Sequence, residues 1–125
     1  MTPVLFVALS LAGGLGAATR LLLDGIIRGR TSVAAPWGTI VINITGSLLL
    51  GLVVGLSTSN LLPETVEKVV GVGFLGGYTT FSTASFETVR LLQEDRWSVG
   101  VLNGFGVLVA ATAAAGLGLW LTSWL

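Results

Sequence analysis

The sequence predicts an all-α integral membrane protein with four transmembrane helices, the third broken near the bilayer midplane. Three observations point there. Charged residues make up 10% of the 125 positions and hydrophobic ones 53%, whereas soluble domains carry about 25% charge. The mean hydropathy is +0.93. Four runs hold no charge at all: Met1–Thr19, Thr31–Pro63, Val69–Phe86 and Trp97–Leu125. Each approaches or exceeds the roughly 18–20 residues a helix needs to cross the hydrocarbon. Six acidic and six basic side chains cannot coat a globule of this length, which sets aside a soluble bundle of buried helices.

The first segment covers about residues 3–23, with Pro3 suited to a first helical turn. It lacks a basic leader and ends in Arg20 rather than a small-residue cleavage site, so it reads as a retained helix. A loop, Asp24–Pro36, carries charges and turn residues, and Trp37 at its end suits an interfacial anchor. The second segment covers about residues 38–56. On it Thr39, Asn43, Ser47, Gly51 and Gly55 recur every fourth position and line one face. Such a small-residue seam lets helix backbones approach. Asn43 stands apart, because an amide in lipid must find a partner or line a cavity.

Ser57–Lys68 is a polar connection, in which Pro63 opens a helix with Glu64 and Glu67 favourably placed in its first turn. The third segment covers about residues 69–92, Gln93–Trp97 is a short link, and the fourth segment covers about residues 98–124. Gly13–Ala18 and Ala110–Gly118 offer further small surfaces. Four short helices make a thin body that can hardly enclose a water-filled path alone, so an oligomer is expected.

The chemistry concentrates in the third segment. Gly76 and Gly77 followed by Tyr78, Thr79 and Thr80 disfavour a continuous helix. Peptide groups freed by a break cost several kcal/mol each in hydrocarbon, so a break survives only inside protein, along a cavity or around an ion. Unwound carbonyls can hold a cation while the next half-helix turns its N-terminus to an anion. Thr79 or Thr80 can cap that half-helix. The alternative is an intact helix whose hydroxyls bond back to their own carbonyls. Residues 80–87 combine rings and hydroxyls. Positive ring edges and neutral donors can hold a small anion without a fixed charge that would trap it, whereas cations prefer ring faces. With Asn43 opposite, this stretch reads as a path for a small, strongly hydrated anion.

Other classes fall away. The chain has no cysteine and no histidine, which removes disulfides, thiolate nucleophiles, the usual zinc sites and the common neutral-pH proton shuttle. No acid–base or nucleophilic constellation suggests an enzyme. Gly71, Gly73 and Gly76 match the spacing of a dinucleotide fingerprint, with Glu94 downstream. That fingerprint needs a preceding strand and a βαβ unit, which this segment lacks. No basic cluster points to nucleic acid.

Three stretches carry a family resemblance: "GGLGAATR" (Gly13–Arg20), "WGTIVINITGS" (Trp37–Ser47) and "GFLGGYTTFSTASFE" (Gly73–Glu87). They resemble, in order, the motifs of the CrcB/Fluc fluoride-specific ion channels. The resemblance implies a subunit of four helices with a broken third helix, assembled as an antiparallel (inverted) dimer in the cell membrane. It implies passive export of fluoride from the cytoplasm, which reduces its toxicity. It also implies a structural, non-transported sodium ion at the dimer centre, on backbone carbonyls that map to Gly76 and Thr79. Asn43 matches the pore amide, Phe81 the first ring of the fluoride-lining pair, and Thr80, Ser82 and Thr83 the nearby hydroxyls. Glu87 matches a glutamate at the pore end, and Arg20 the basic residue closing the first motif.

The chain also departs from the family pattern. Ala84 stands where the second ring belongs, and Phe86 follows two positions later, turned by about 200° on a helix. The fourth segment offers Asn103, then Val107 and Ala111 at one-turn steps with Thr112 nearby, where a hydroxyl track is usual. Arg28, Arg30 and Arg96 lie in the first and third loops with Arg20 and Arg90 at nearby helix ends, against Lys68 and the terminal amine on the other side. That bias places the two arginine-bearing loops in the cytoplasm and both termini outside. Together these features favour a paralogue of opposite orientation over a second copy as the partner subunit. The alternatives are a non-conducting structural subunit of a heteromeric channel and a small proton-coupled exporter. The exporter needs an acid within its first helix, and residues 1–19 contain none.

Overall fold

The computed structural model describes residues 1–31 and 35–125, and its elements are all helical. Helix α1, Pro3–Arg30, starts where the Thr2 hydroxyl accepts the Leu5 amide at 3.1 Å and Pro3 fills the first turn. It ends where both the amide and the hydroxyl of Thr31 donate to the Ile27 carbonyl. The helix therefore runs well past Leu23, where the sequence reading stopped. Asp24 and Arg28, expected in a loop, instead pair one turn apart at 2.9 Å and support the helix. At 1.5 Å per residue α1 measures about 42 Å, longer than a hydrocarbon core of about 30 Å. The connection shrinks to residues 31–36, and its Ser32, Val33 and Ala34 lie outside the described residues.

Helix α2 is Trp37–Thr58. Helix α3 covers residues 64–78, entered from extended Pro63; its middle, Lys68–Leu75, is widened into π-type turns. Helix α4 is Phe81–Gln93, and α5 is Trp97–Thr122 with a second widened turn at Leu102–Gly106. By length and hydropathy α1, α2 and α5 can each cross a membrane. The remaining apolar segment is assembled from α3 and α4.

Glycines set how closely these helices pack. A Cβ on Gly16 would overlap the Phe74 carbonyl oxygen, and one on Gly77 would overlap the Gly13 carbonyl oxygen. Here α1 and α3 meet backbone to backbone. The α2 seam works likewise against the C-terminal half of α5, since a Cβ on Gly51 would overlap the Ala115 carbonyl and one on Gly55 the Thr122 hydroxyl. The small core holds Ile42, Leu75 and Tyr78, flanked by Leu23, Val53 and Phe74. The Tyr78 hydroxyl meets Thr45 Oγ1 at 3.0 Å.

Between α3 and α4 the chain is extended at Thr79 (φ −79°, ψ 159°) and Thr80 (φ −148°, ψ 121°). The glycine pair before it is not where the helix ends. Gly76 is helical (φ −62°, ψ −39°), and no described glycine has positive φ. Gly77 is present so that α3 can touch α1, and the departure occurs at two threonines in conformations open to any residue.

Candidate functional site

The site is built on that extended pair. The Thr80 amide donates to Asn43 Oδ1 at 2.8 Å, and Asn43 Nδ2 donates to the Thr80 carbonyl at 2.8 Å. One side-chain amide from α2 thus satisfies both peptide groups of the residue that leaves the helix, as a neighbouring strand would. The Leu75 carbonyl takes both the amide and the hydroxyl of Thr79, each at 2.9 Å. In an unbroken helix the Thr80 amide would donate to the Gly76 carbonyl; its diversion to Asn43 strips that carbonyl of its usual donor. Thr80 then caps α4, its hydroxyl accepting the Thr83 amide at 3.1 Å.

Alongside the extended pair runs a groove of about 610 Å³ between α2, α3, α4 and α5. Asn43, Gly76, Thr79, Thr80, Phe81 and Asn103 all line it. Phe81 is 87% exposed, its ring standing free of the rest of the chain. Asn103 is buried and donates to Thr88 Oγ1 at 2.8 Å, while Thr88 donates onward to the Ala84 carbonyl at 2.8 Å. Among the described residues no charged side chain lines the groove. Its polar atoms are amides, hydroxyls and backbone. Such a surface can coordinate a small anion through neutral donors and ring edges and still release it.

A second cavity, about 290 Å³, lies at one end of the helices and contains Glu87. Glu87 Oε1 accepts from the Thr39 hydroxyl at 2.7 Å and sits 3.7 Å from Arg28 Nη2, while Oε2 is buried without a partner. Arg28, Arg90 and Arg96 line this same cavity beside Trp37, so arginines from three helix ends share one end of the molecule. On α1 the Arg20 Nε is likewise buried without a partner.

A family model described as CrcB-like protein, camphor resistance (CrcB), matches residues 7–119. The chain belongs to the CrcB family. A protein named fluoride-specific ion channel FluC 1 from Leifsonia xyli subsp. xyli is 52% identical over 121 residues, covering 97% of this chain and 88% of the relative. One named fluoride-specific ion channel FluC 2 from Cutibacterium acnes is 49% identical over 114 residues, covering 90% of this chain and 93% of the relative. Another of that name from Mycobacterium tuberculosis (strain ATCC 25618 / H37Rv) is 41% identical over 122 residues, covering 97% and 93%. With its long apolar helices, this CrcB chain is a multi-pass membrane protein.

In this CrcB chain the residues singled out from the sequence do not all share one place. The groove gathers Asn43, Gly76, Thr79, Thr80, Phe81 and Asn103. Ser82, Thr83 and Glu87 are not part of its lining. On α4, Ser82 and Thr83 are turned about 100° and 200° from Phe81, and Glu87 about 240°, so one helix face cannot hold them all. Thr83 serves the cap of α4, with the Thr80 hydroxyl donating to its Oγ1 at 3.1 Å. Glu87 belongs to the arginine-rich cavity. Sequence reasoning missed Phe105, which lines the groove from α5. A regular helix would point it away from Asn103, and nothing in the residue pattern announces the widened turn that carries both.

Proposed function

We propose that this chain is a subunit of a fluoride-specific channel that lets fluoride leave the cytoplasm passively, and that it is not an enzyme. The observation that carries this reading is the uncharged groove in which Asn43, Thr80 and Phe81 meet beside an interrupted helix. The CrcB relatives named as fluoride-specific ion channels support it. Fluoride, small and tightly hydrated, needs several replacement donors at once. Amide and hydroxyl groups supply them, and the Phe81 ring edge adds a weak electropositive contact. The absence of a lysine or arginine from the described lining allows release as well as binding.

The groove is open on one side, so the conducting unit includes a second subunit laid against it in the inverted orientation. A paralogue is favoured over a second copy. Arg28, Arg90 and Arg96 crowd one end, whereas the connection before α3 carries Lys68. That asymmetry directs one orientation, with the arginine end cytoplasmic. A chain fixed in one orientation needs an oppositely oriented relative to form an antiparallel pair.

A structural sodium ion fits the residues present. The Gly76 carbonyl has lost its helical donor, Thr79 is extended, and a Cβ at Gly76 would meet no atom within 4 Å. Gly76 and Thr79 would hold the ion through backbone oxygens, with matching oxygens from the second subunit completing the shell. The ion would tie the two subunits together and would not be transported. Fluoride-electrode efflux from liposomes, with the chain alone and with its co-expressed paralogue, tests the reading. Fast fluoride efflux with chloride retained, lost when sodium is withheld, is the expected result. An assembly of either kind that leaks no fluoride in sodium overturns it.

A further inference from the structure

The groove holds one aromatic ring that the motif reading did not anticipate. Phe105 is 70% exposed and lines the groove together with Phe81, which is 87% exposed. Besides Phe81, α4 lines the groove with Ala84, Ser85, Thr88 and Val89, none of them aromatic. How Phe105 comes to be there follows from three contacts. The α5 turn Leu102–Gly106 is widened, a feature that inserts one extra residue into a helical turn and often accompanies function. Within it Asn103 is anchored by its 2.8 Å bond to Thr88 on α4. Gly104 comes so close to that threonine that a Cβ there would lie 3.2 Å from its Cγ2. Three consecutive residues, Asn103, Gly104 and Phe105, therefore line the same groove, which a regular turn with 100° between residues does not favour.

Thr88 in turn donates to the carbonyl of Ala84, one turn back on α4. The anchoring pair thus draws the widened turn against the part of α4 where the side chain is smallest. Phe105 follows Gly104 along that turn, and it lines the same groove as the small Ala84.

We infer that Phe105 is a specificity-determining residue of this channel: it forms the second aromatic wall of the groove, opposite Phe81 and across Ala84. The inference rests on the channel reading and deepens it. The ring arrives from α5 rather than α4, and the widened turn is the device that aims it. The two rings offer a passing anion electropositive edges from two helices. Asn103, Gly104 and Thr88 are positioning residues, since they act on the anion only through the ring they place.

The test uses the conducting assembly, whether this chain alone or with its co-expressed paralogue, in liposomes read by a fluoride electrode and a chloride electrode. Phe105→Leu keeps apolar bulk but removes the ring. It should lower fluoride efflux by about tenfold, the most that loss of one aromatic contact of this class would produce. Elution as a monodisperse assembly checks that the variant is folded. Adding Ala84→Phe to Phe105→Leu should restore efflux by supplying a ring from α4. Wild-type efflux in Phe105→Leu, or no recovery in the folded double variant, overturns the assignment of Phe105 while leaving the channel reading intact. A wild-type assembly that passes no fluoride removes both.

Discussion

Asn43 carries the sharpest prediction. Asn43→Ala removes both hydrogen bonds that close the gap at Thr80, each 2.8 Å long. Both residues line the groove, so water there can replace part of what is lost. An unsatisfied buried donor or acceptor costs about 1–3 kcal/mol, and both residues are only partly buried, so the pair should cost about 2–4 kcal/mol. Asn43→Asp tests the direction of each bond. It keeps an acceptor for the Thr80 amide but sets a carboxylate oxygen against the Thr80 carbonyl, exchanging one hydrogen bond for a repulsion. It should be no more stable than Asn43→Ala at neutral pH. Equilibrium unfolding in mixed detergent, followed by circular dichroism, measures the loss, and fluoride efflux measures its consequence. If Asn43→Ala unfolds and conducts like the wild type, the side-chain bridge is incidental and the account of the interrupted helix fails.

The remaining predictions concern packing and charge. Gly16→Ala drives a methyl into the Phe74 carbonyl oxygen and should destabilise by about 1–3 kcal/mol or more. Gly14→Ala, with no atom within 4 Å, should instead stabilise by about 0.4–1 kcal/mol through helix propensity. Comparing the two variants in the same unfolding assay separates backbone contact from helix propensity. Glu64, ahead of the spanning part of α3, has its carboxyl held below the usual range, first by its hydrogen bond with Lys68 and then by the charge of that lysine. A lowered pKa means the pair stabilises above the ordinary carboxylate range and its effect disappears as pH falls through the lowered value. Glu64→Gln should therefore differ from wild type only at the higher pH. The difference should shrink with added salt, because Glu64 is exposed and Lys68 half-exposed. Melting curves from about two pH units below the ordinary carboxylate range to about two above it, at low and high salt, check this.

Much of the architecture could be read from uncharged runs, because the length needed to cross a bilayer is a hard physical limit. Asn43 could be singled out for the same reason: an amide surrounded by apolar residues requires a partner. Its partner could not be named, since the Thr80 peptide is an acceptor and donor only after the chain extends there. The end of α1 lies beyond Asp24 because a charge there does not end the helix. The Asp24–Arg28 pair at 2.9 Å instead carries the helix to Arg30. Gly77 was read for its low helix propensity, yet its missing side chain admits the Gly13 carbonyl, a tertiary fact with no local signature. The separation of Glu87 from Phe81 follows from helical geometry alone. The placement of Phe105 does not, because a widened turn depends on how α5 settles against Thr88.

The bridge from Asn43 to Thr80 has a consequence for how the molecule is made. The peptide that needs help is synthesised 37 residues after the side chain that helps it. When the interrupted segment enters the bilayer, α2 has already been produced, so a waiting amide can take the place of the missing rung. Moving Asn43 to a helix made later would leave the gap bare during insertion, and the order of the helices along the chain is thereby part of what makes an interrupted segment tolerable in lipid.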